Sequence, residues 1–113
     1  MREKDEANLQ EIILCVDKIW HFLEGVNDAK SFNANEEKYD AVMMNFILIG
    51  AAVSRLSDEL KVEHSFVEWN KIKSFRNLVV HDYLGVDEDE VWDIIQHKLL
   101  KLKTDLQNIL STK

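Results

Sequence analysis

A chain of 113 residues with 46% hydrophobic content has the size and composition of one small domain built around a single core. With no Pro and only Gly25, Gly50 and Gly85, it lacks the turn residues that sheets use, so the composition points to an all-α fold. The formal net charge of −7 argues against broad, non-specific binding to nucleic acid, and no apolar run long enough to cross a membrane is present.

The charged opening Met1-Arg2-Glu3-Lys4-Asp5-Glu6 leads straight into an amphipathic pattern and does not read as a signal peptide. Residues 4–24 form the first predicted helix, with Leu9, Ile12, Ile13, Val16, Ile19, Trp20 and Leu23 recurring at spacings of three and four. Gly25 is its expected stop. Cys15, the only cysteine, allows no intrachain disulfide, fits a cytoplasmic protein and reads as a small buried apolar residue. Residues 25–35 read as a loop, with Phe32 tucked onto the core.

The second predicted helix runs from about Glu36 to about Lys61. Its apolar positions are Val42, Met43, Phe46, Ile47, Leu48, Ile49, Val53, Leu56 and Leu60. Apolar surface wraps most of the way round its middle, so burial on more than one side is expected, one of them facing another subunit. Gly50 sits at mid-helix, where it costs about 1 kcal/mol relative to Ala. Its small size is expected to let another helix approach closely.

After a short connection at 62–65, residues 66–83 form a third segment whose core stripe is Phe66, Trp69, Ile72, Phe75 and Val79. Gly85 follows as the expected helix stop. The fourth helix is predicted from about Asp87 to Leu110. Asp87, Glu88, Asp89 and Glu90 crowd its first turn, where the helix dipole favours negative charge. That run reads as a helix start rather than a metal site. Val91, Ile95, Leu99, Leu102, Leu106 and Ile109 make its apolar face. His21, His64 and His97 have no ligand spacing with Cys15 or with one another, so no zinc site is expected. The predicted architecture is a single domain over 1–113, a mostly up-and-down four-helix bundle.

The chemistry gathers in Arg76-Asn77-Leu78-Val79-Val80-His81-Asp82-Tyr83. From Trp69 to His81 there are three cations, Lys71, Lys73 and Arg76, and no acid, so an acidic protein carries one local basic patch. At about 100° per residue Asn77 and His81 share a helical face, with Arg76 beside Asn77. Leu78, Val79 and Trp69 are expected to anchor the segment. Asp82 falls at a helix C-terminus, where the dipole disfavours an acid, a conflict of the kind found near functional sites.

An Arg near a His suits cleavage of RNA through its own 2′-hydroxyl. That reaction needs a base for the hydroxyl, an acid for the leaving oxygen and positive charge on the crowded phosphate. Histidine serves the proton steps, and the planar guanidinium donates two parallel hydrogen bonds to the phosphate. One His does not easily act as base and acid in the same step, whereas a two-fold homodimer would supply two His and two Arg. Lys71 and Lys73 are candidate phosphate contacts, with a solvated role as the alternative. For His81 the alternative is a helix cap or a satisfied core residue. For Tyr83, on these grounds alone, packing or an interface is the first expectation.

A resemblance extends this reading. Trp69-Asn70-Lys71-Ile72, Phe75-Arg76-Asn77, His81-Asp82-Tyr83-Leu84-Gly85-Val86-Asp87 and Val91-Trp92 resemble the HepT-like branch of the HEPN superfamily, which carries an Arg, four intervening residues and then His-x-Tyr. Upstream, Asp40-Ala41-Val42, Ile49-Gly50-Ala51-Ala52 and Leu56-Ser57 also fit, so the resemblance covers most of the chain. It implies an all-helical dimeric endoribonuclease that needs no metal or other cofactor, the toxin of a prokaryotic toxin–antitoxin pair. It further implies that Arg76 and His81 are catalytic, that Asn77 supports them, and that the site lies in a cleft between protomers. The implied partner is an MNT-type nucleotidyltransferase, which silences the toxin by transferring AMP to the motif tyrosine, here Tyr83. The family commonly has Glu after the helix-two Gly; here that residue is Ala51, so a carboxylate that could hold Arg76 is missing. The alternatives are a non-catalytic binding subunit of such a nucleotidyltransferase and a purely structural helical dimer.

Overall fold

The computed structural model describes residues 1–112. Its elements are α1 (Glu3–Phe22), α2 (Ala29–Ala34), α3 (Glu36–Arg55), α4 (Asp58–Glu63), α5 (Trp69–His81), a 3-10 turn (Tyr83–Gly85), α6 (Glu88–His97) and α7 (Leu99–Ser111). Among the described residues the fold is all-α. The four predicted helices appear in order as α1, α3 with α4, α5, and α6 with α7.

Helix α3 lies at the centre. It packs against α1 on one side and α5 on the other, while α7 covers α1, and α2 bridges α3 and α6. Leu9, Ile12, Val16 and Ile19 of α1 meet Val42, Met43, Ile49 and Val53 of α3 in the core, closed by Val91, Ile95, Leu106 and Ile109. Each such side chain contributes about 1.5–3 kcal/mol by leaving water. Cys15 is buried among them, as its neighbours predict, and burial first, then Glu11, pushes its thiol above the ordinary value.

The structure departs from the predicted boundaries where polar side chains end helices. The expected loop at 25–35 contains α2, started by Asp28, whose carboxylate accepts from Ser31 N at 2.8 Å. Phe32 on α2 is fully buried, as expected. Gly25 takes the left-handed conformation (φ +82°) just after α1.

The second helix stops at Arg55, six residues early. Leu56 and Ser57 are extended, and the buried Asp5 carboxylate accepts from both Ser57 N (2.8 Å) and Ser57 Oγ (2.6 Å). Ser57 Oγ in turn accepts from Leu60 N and starts α4. The fourth helix is broken at Lys98 (φ −125°), which separates α6 from α7. Asp87 starts α6 by accepting from Asp89 N and Glu90 N, so the acidic run is a helix start.

The third segment begins at Trp69 rather than residue 66. The Trp69 indole donates to His64 O at 3.1 Å, a bond that fixes a turn over 64–69. Phe66 is therefore not part of the core stripe; it is 55% exposed. Trp69 and Val79 are buried, and Ile72 and Phe75 half-buried. The segment also ends early, at His81, and Tyr83 belongs to the 3-10 turn.

Candidate functional site

Arg76 is half-buried on α5 and lies directly across α3. A Cβ on Gly50 would overlap Arg76 Cβ and Cγ and come within 3.3 Å of Cδ. Gly50 is thus the gap through which the arginine stem crosses the neighbouring helix. The close approach expected at this position is present, and what approaches is the catalytic candidate itself.

The Arg76 guanidinium has one side-chain partner, with Nη1 donating to Asn77 Oδ1 at 3.1 Å. Nε is buried and unpaired. No carboxylate forms an ion pair with Arg76 among the described residues. Ala51, where the resemblance leads one to expect Glu, is half-buried and offers it nothing. Such a cation keeps most of its donors for an added anion.

His81 is the last residue of α5 and is exposed. Its imidazole makes no hydrogen bond or ion pair among the described residues. It is therefore neither a cap nor a satisfied core residue. Asn77 lies one turn earlier and half-buried, tied to Arg76. Of the three apolar residues inside the motif, only Val79 anchors it, because Leu78 and Val80 are exposed.

Tyr83 sits two residues on, in the 3-10 turn, half-buried. Its hydroxyl donates to the Asp40 carboxylate of α3. Its ring meets Tyr39 edge-on at 6.0 Å. Burial first, then the Asp40 bond, holds the Tyr83 phenol proton well above the ordinary tyrosine value. Tyr39 is raised too, by burial and then by Glu88 and Asp40. Gly85 gives room of another kind. A Cβ there would run into the Asp82 carboxylate, and Gly85 N donates to Asp82 O at 3.0 Å. Gly85 does not stop α5, which has already ended at His81.

The two candidate lysines separate. Round the helix Lys73 lies about 60° from Arg76 and Lys71 about 140° away. Lys73 is exposed. Lys71 pairs with Glu68 at 2.6 Å and lines an apolar groove of about 590 Å³ between α5 and the α6–α7 segment, with Phe75, Leu78, Ile94 and Leu102. That groove includes neither Arg76 nor His81. The structure thus joins Arg76 to Asn77 and Gly50, and Tyr83 to Asp40 and Tyr39.

Tyr39 was not singled out from the sequence, and Asp40 was noted only as part of a resembling segment. Asp40 and Tyr83 are separated by 43 positions, and no periodicity connects a residue near the start of one helix with a turn after another.

A bound phosphate could use the free Arg76 donors, and the free His81 imidazole can exchange a proton. Neither group is neutralised by a neighbour. No helix among the described residues is long and apolar enough to cross a membrane.

Comparison with known proteins gives the same direction. The family model Ribonuclease HepT-like matches residues 12–109. "Putative RNase MJ0125" of Methanocaldococcus jannaschii is 24% identical over 105 residues, covering 93% of this chain and 90% of that protein. "Putative RNase TTE0752" of Caldanaerobacter subterraneus subsp. tengcongensis is 31% identical over 70 residues, 62% of each chain. "Probable ribonuclease HepT" of Thermococcus cleftensis is 21% identical over 109 residues, 96% of this chain and 98% of that protein. No solved structure matches the chain.

Proposed function

We propose, from the premise that this chain belongs to the Ribonuclease HepT-like family, that it is a metal-independent endoribonuclease and the toxin of a prokaryotic toxin–antitoxin pair. The observation that supports this reading best is the presence, within the last two turns of α5, of an arginine fork with no anionic partner and an imidazole with no protein partner. A half-buried arginine in a helical bundle is normally paired with an acid; Arg76 is not, and His81 five residues on is open to solvent.

In the proposed reaction one His81 removes the proton from an RNA 2′-hydroxyl. That oxygen attacks the adjacent phosphorus while Arg76 binds the non-bridging oxygens. The 5′-oxygen leaves with a proton from the His81 of a second protomer, and a cyclic phosphate remains. Asn77 keeps the guanidinium plane in register. A homodimer with the two motifs facing each other supplies both histidines. Met44 and Leu48, one turn apart on α3, together with Val80 and Leu84 beside the motif, are exposed apolar residues that suit such an interface. Lys73, on the side of Arg76, is the better placed of the two lysines for RNA phosphate. The single domain acts in the cytoplasm, and its antitoxin is an MNT-type nucleotidyltransferase that adds AMP to Tyr83. The added charge and bulk, two residues from His81, exclude the RNA phosphate.

The missing carboxylate at Ala51 favours a second reading. An Arg76 held by Asn77 alone, with no carboxylate, would bind poorly in the transition state, leaving a non-catalytic binding subunit of the nucleotidyltransferase. Incubating the purified chain with RNA in EDTA separates the two. Cleavage supports the nuclease. A stable complex with an MNT-type nucleotidyltransferase and no cleavage by the free chain supports the binding subunit.

A further inference from the structure

Tyr83 does not simply sit on the surface. Its hydroxyl points across to α3 and donates to the Asp40 carboxylate, and its ring is steadied edge-on by Tyr39. Tyr39 in turn packs at a tilt against the buried Phe32, which packs against Trp92. The phenol oxygen is thus held in one place, with its proton already directed at a base. Asp40 is exposed at the same surface.

We propose that Asp40 is the proton acceptor for nucleotidyl transfer to Tyr83, so that the acceptor protein carries its own general base for its own modification. This rests on the reading of Tyr83 as the nucleotidylated residue. In the step, the Tyr83 oxygen forms a bond to the α-phosphorus of a nucleoside triphosphate held by the transferase. The bond from that phosphorus to the pyrophosphate oxygen breaks, and pyrophosphate leaves with the electron pair. The tyrosyl proton passes to Asp40 Oδ1. A phenol that holds its proton well above the ordinary range supplies very little free phenolate near neutral pH, so removal of the proton during attack matters. Other acidic groups lie nearby: Glu36 and Tyr39 on α3 bear on Tyr83, and Glu88 of α6 bears on Tyr39. They oppose spontaneous ionisation and leave Asp40 as the group in contact. Once AMP is attached, the hydroxyl can no longer donate, and the new phosphate lies against Asp40. The tie between the 3-10 turn and α3 is then lost.

The test uses diisopropyl fluorophosphate, whose phosphorus a phenol attacks with loss of fluoride, on the full chain as wild type, Asp40→Asn and Asp40→Glu. Labelling at Tyr83 is followed by peptide mass spectrometry from about pH 6 to 9, with Tyr83→Phe fixing the site and far-ultraviolet circular dichroism confirming the fold. The wild type is expected to label at a nearly pH-independent rate, at least about tenfold faster than Asp40→Asn at pH 7. Asp40→Asn is expected to gain about tenfold per pH unit as phenolate forms, and Asp40→Glu to recover part of the neutral-pH rate. Equal rates for wild type and Asp40→Asn at pH 7, both rising with pH, would overturn the assignment. RNA cleavage is read on the same labelled samples. Asp40-dependent labelling with cleavage undiminished would uphold Asp40 and instead remove Tyr83 as the off-switch.

Discussion

Gly50 lies directly beneath the stem of Arg76, and no side chain larger than hydrogen fits between them. The overlapping atoms would be Arg76 Cβ and Cγ, close to the α5 backbone, so the clash cannot be relieved by swinging a flexible tip.

Gly50→Ala therefore sets two effects against each other. Alanine favours the helix by about 1 kcal/mol. Pushing α5 off α3 costs about 1–3 kcal/mol. The net result is expected to be a loss of about 0–2 kcal/mol in urea unfolding. RNA cleavage should fall by at least about tenfold under conditions where the variant is folded, because a shift of α5 misplaces Arg76. A variant more stable than wild type would show that the helices can part at no cost.

Arg76→Met separates stability from activity. The buried Nε of Arg76 has no partner, a penalty of about 1–3 kcal/mol that methionine removes while keeping the stem. The urea midpoint is expected to stay level or rise, while RNA cleavage drops by two orders of magnitude or more. Loss of both would mean that the guanidinium holds the fold rather than the phosphate.

The alkaline titration of the two tyrosines can be worked out in sign. Tyr39 and Tyr83 both have folded-state values above the ordinary 10.0. The unfolded chain then loses phenol protons first, so stability present below about pH 10 is lost as pH rises further. At pH 11 the native protein should show less tyrosinate absorbance than the same chain in urea, and the unfolding midpoint should fall between pH 9 and 11. Asp40→Asn should bring the Tyr83 transition down. Identical native and unfolded titrations would contradict the buried, acid-facing placement of the hydroxyls.

Leu48→Arg tests the proposed dimer. Leu48 and Met44 form an exposed apolar strip on α3, and Leu84, next to the motif, is 96% exposed. A charge in that strip is expected to yield monomers in sedimentation equilibrium and to lose RNA cleavage, with secondary structure intact. A monomer that still cleaves would show that one protomer holds a whole site.

The helical class and the core were legible because apolar residues recur at helical spacing, and Leu9, Ile12, Val16, Val42, Val91 and Ile95 are buried as that spacing requires. The helix breaks were not. Ser57 ends a helix only because Asp5, 52 positions away, accepts both of its donors. Likewise Phe66 fits the periodic stripe, but the turn fixed by the Trp69 indole carries it out to solvent. Within the site, Arg76, Asn77 and His81 could be read because they share one helix. Gly50 was identified for its size, but not the arginine that fills the space. The Tyr83–Asp40 bond depends on how α5 and its turn lie on α3, which no local pattern specifies.

RNA cleavage by wild type and His81→Ala, with EDTA present throughout, is the most direct measurement. His81 is exposed and holds no other group, so its removal should leave folding unchanged. The wild type is expected to cut RNA without metal, and His81→Ala to lose that activity by at least about two orders of magnitude. Undiminished cutting by His81→Ala would contradict the account.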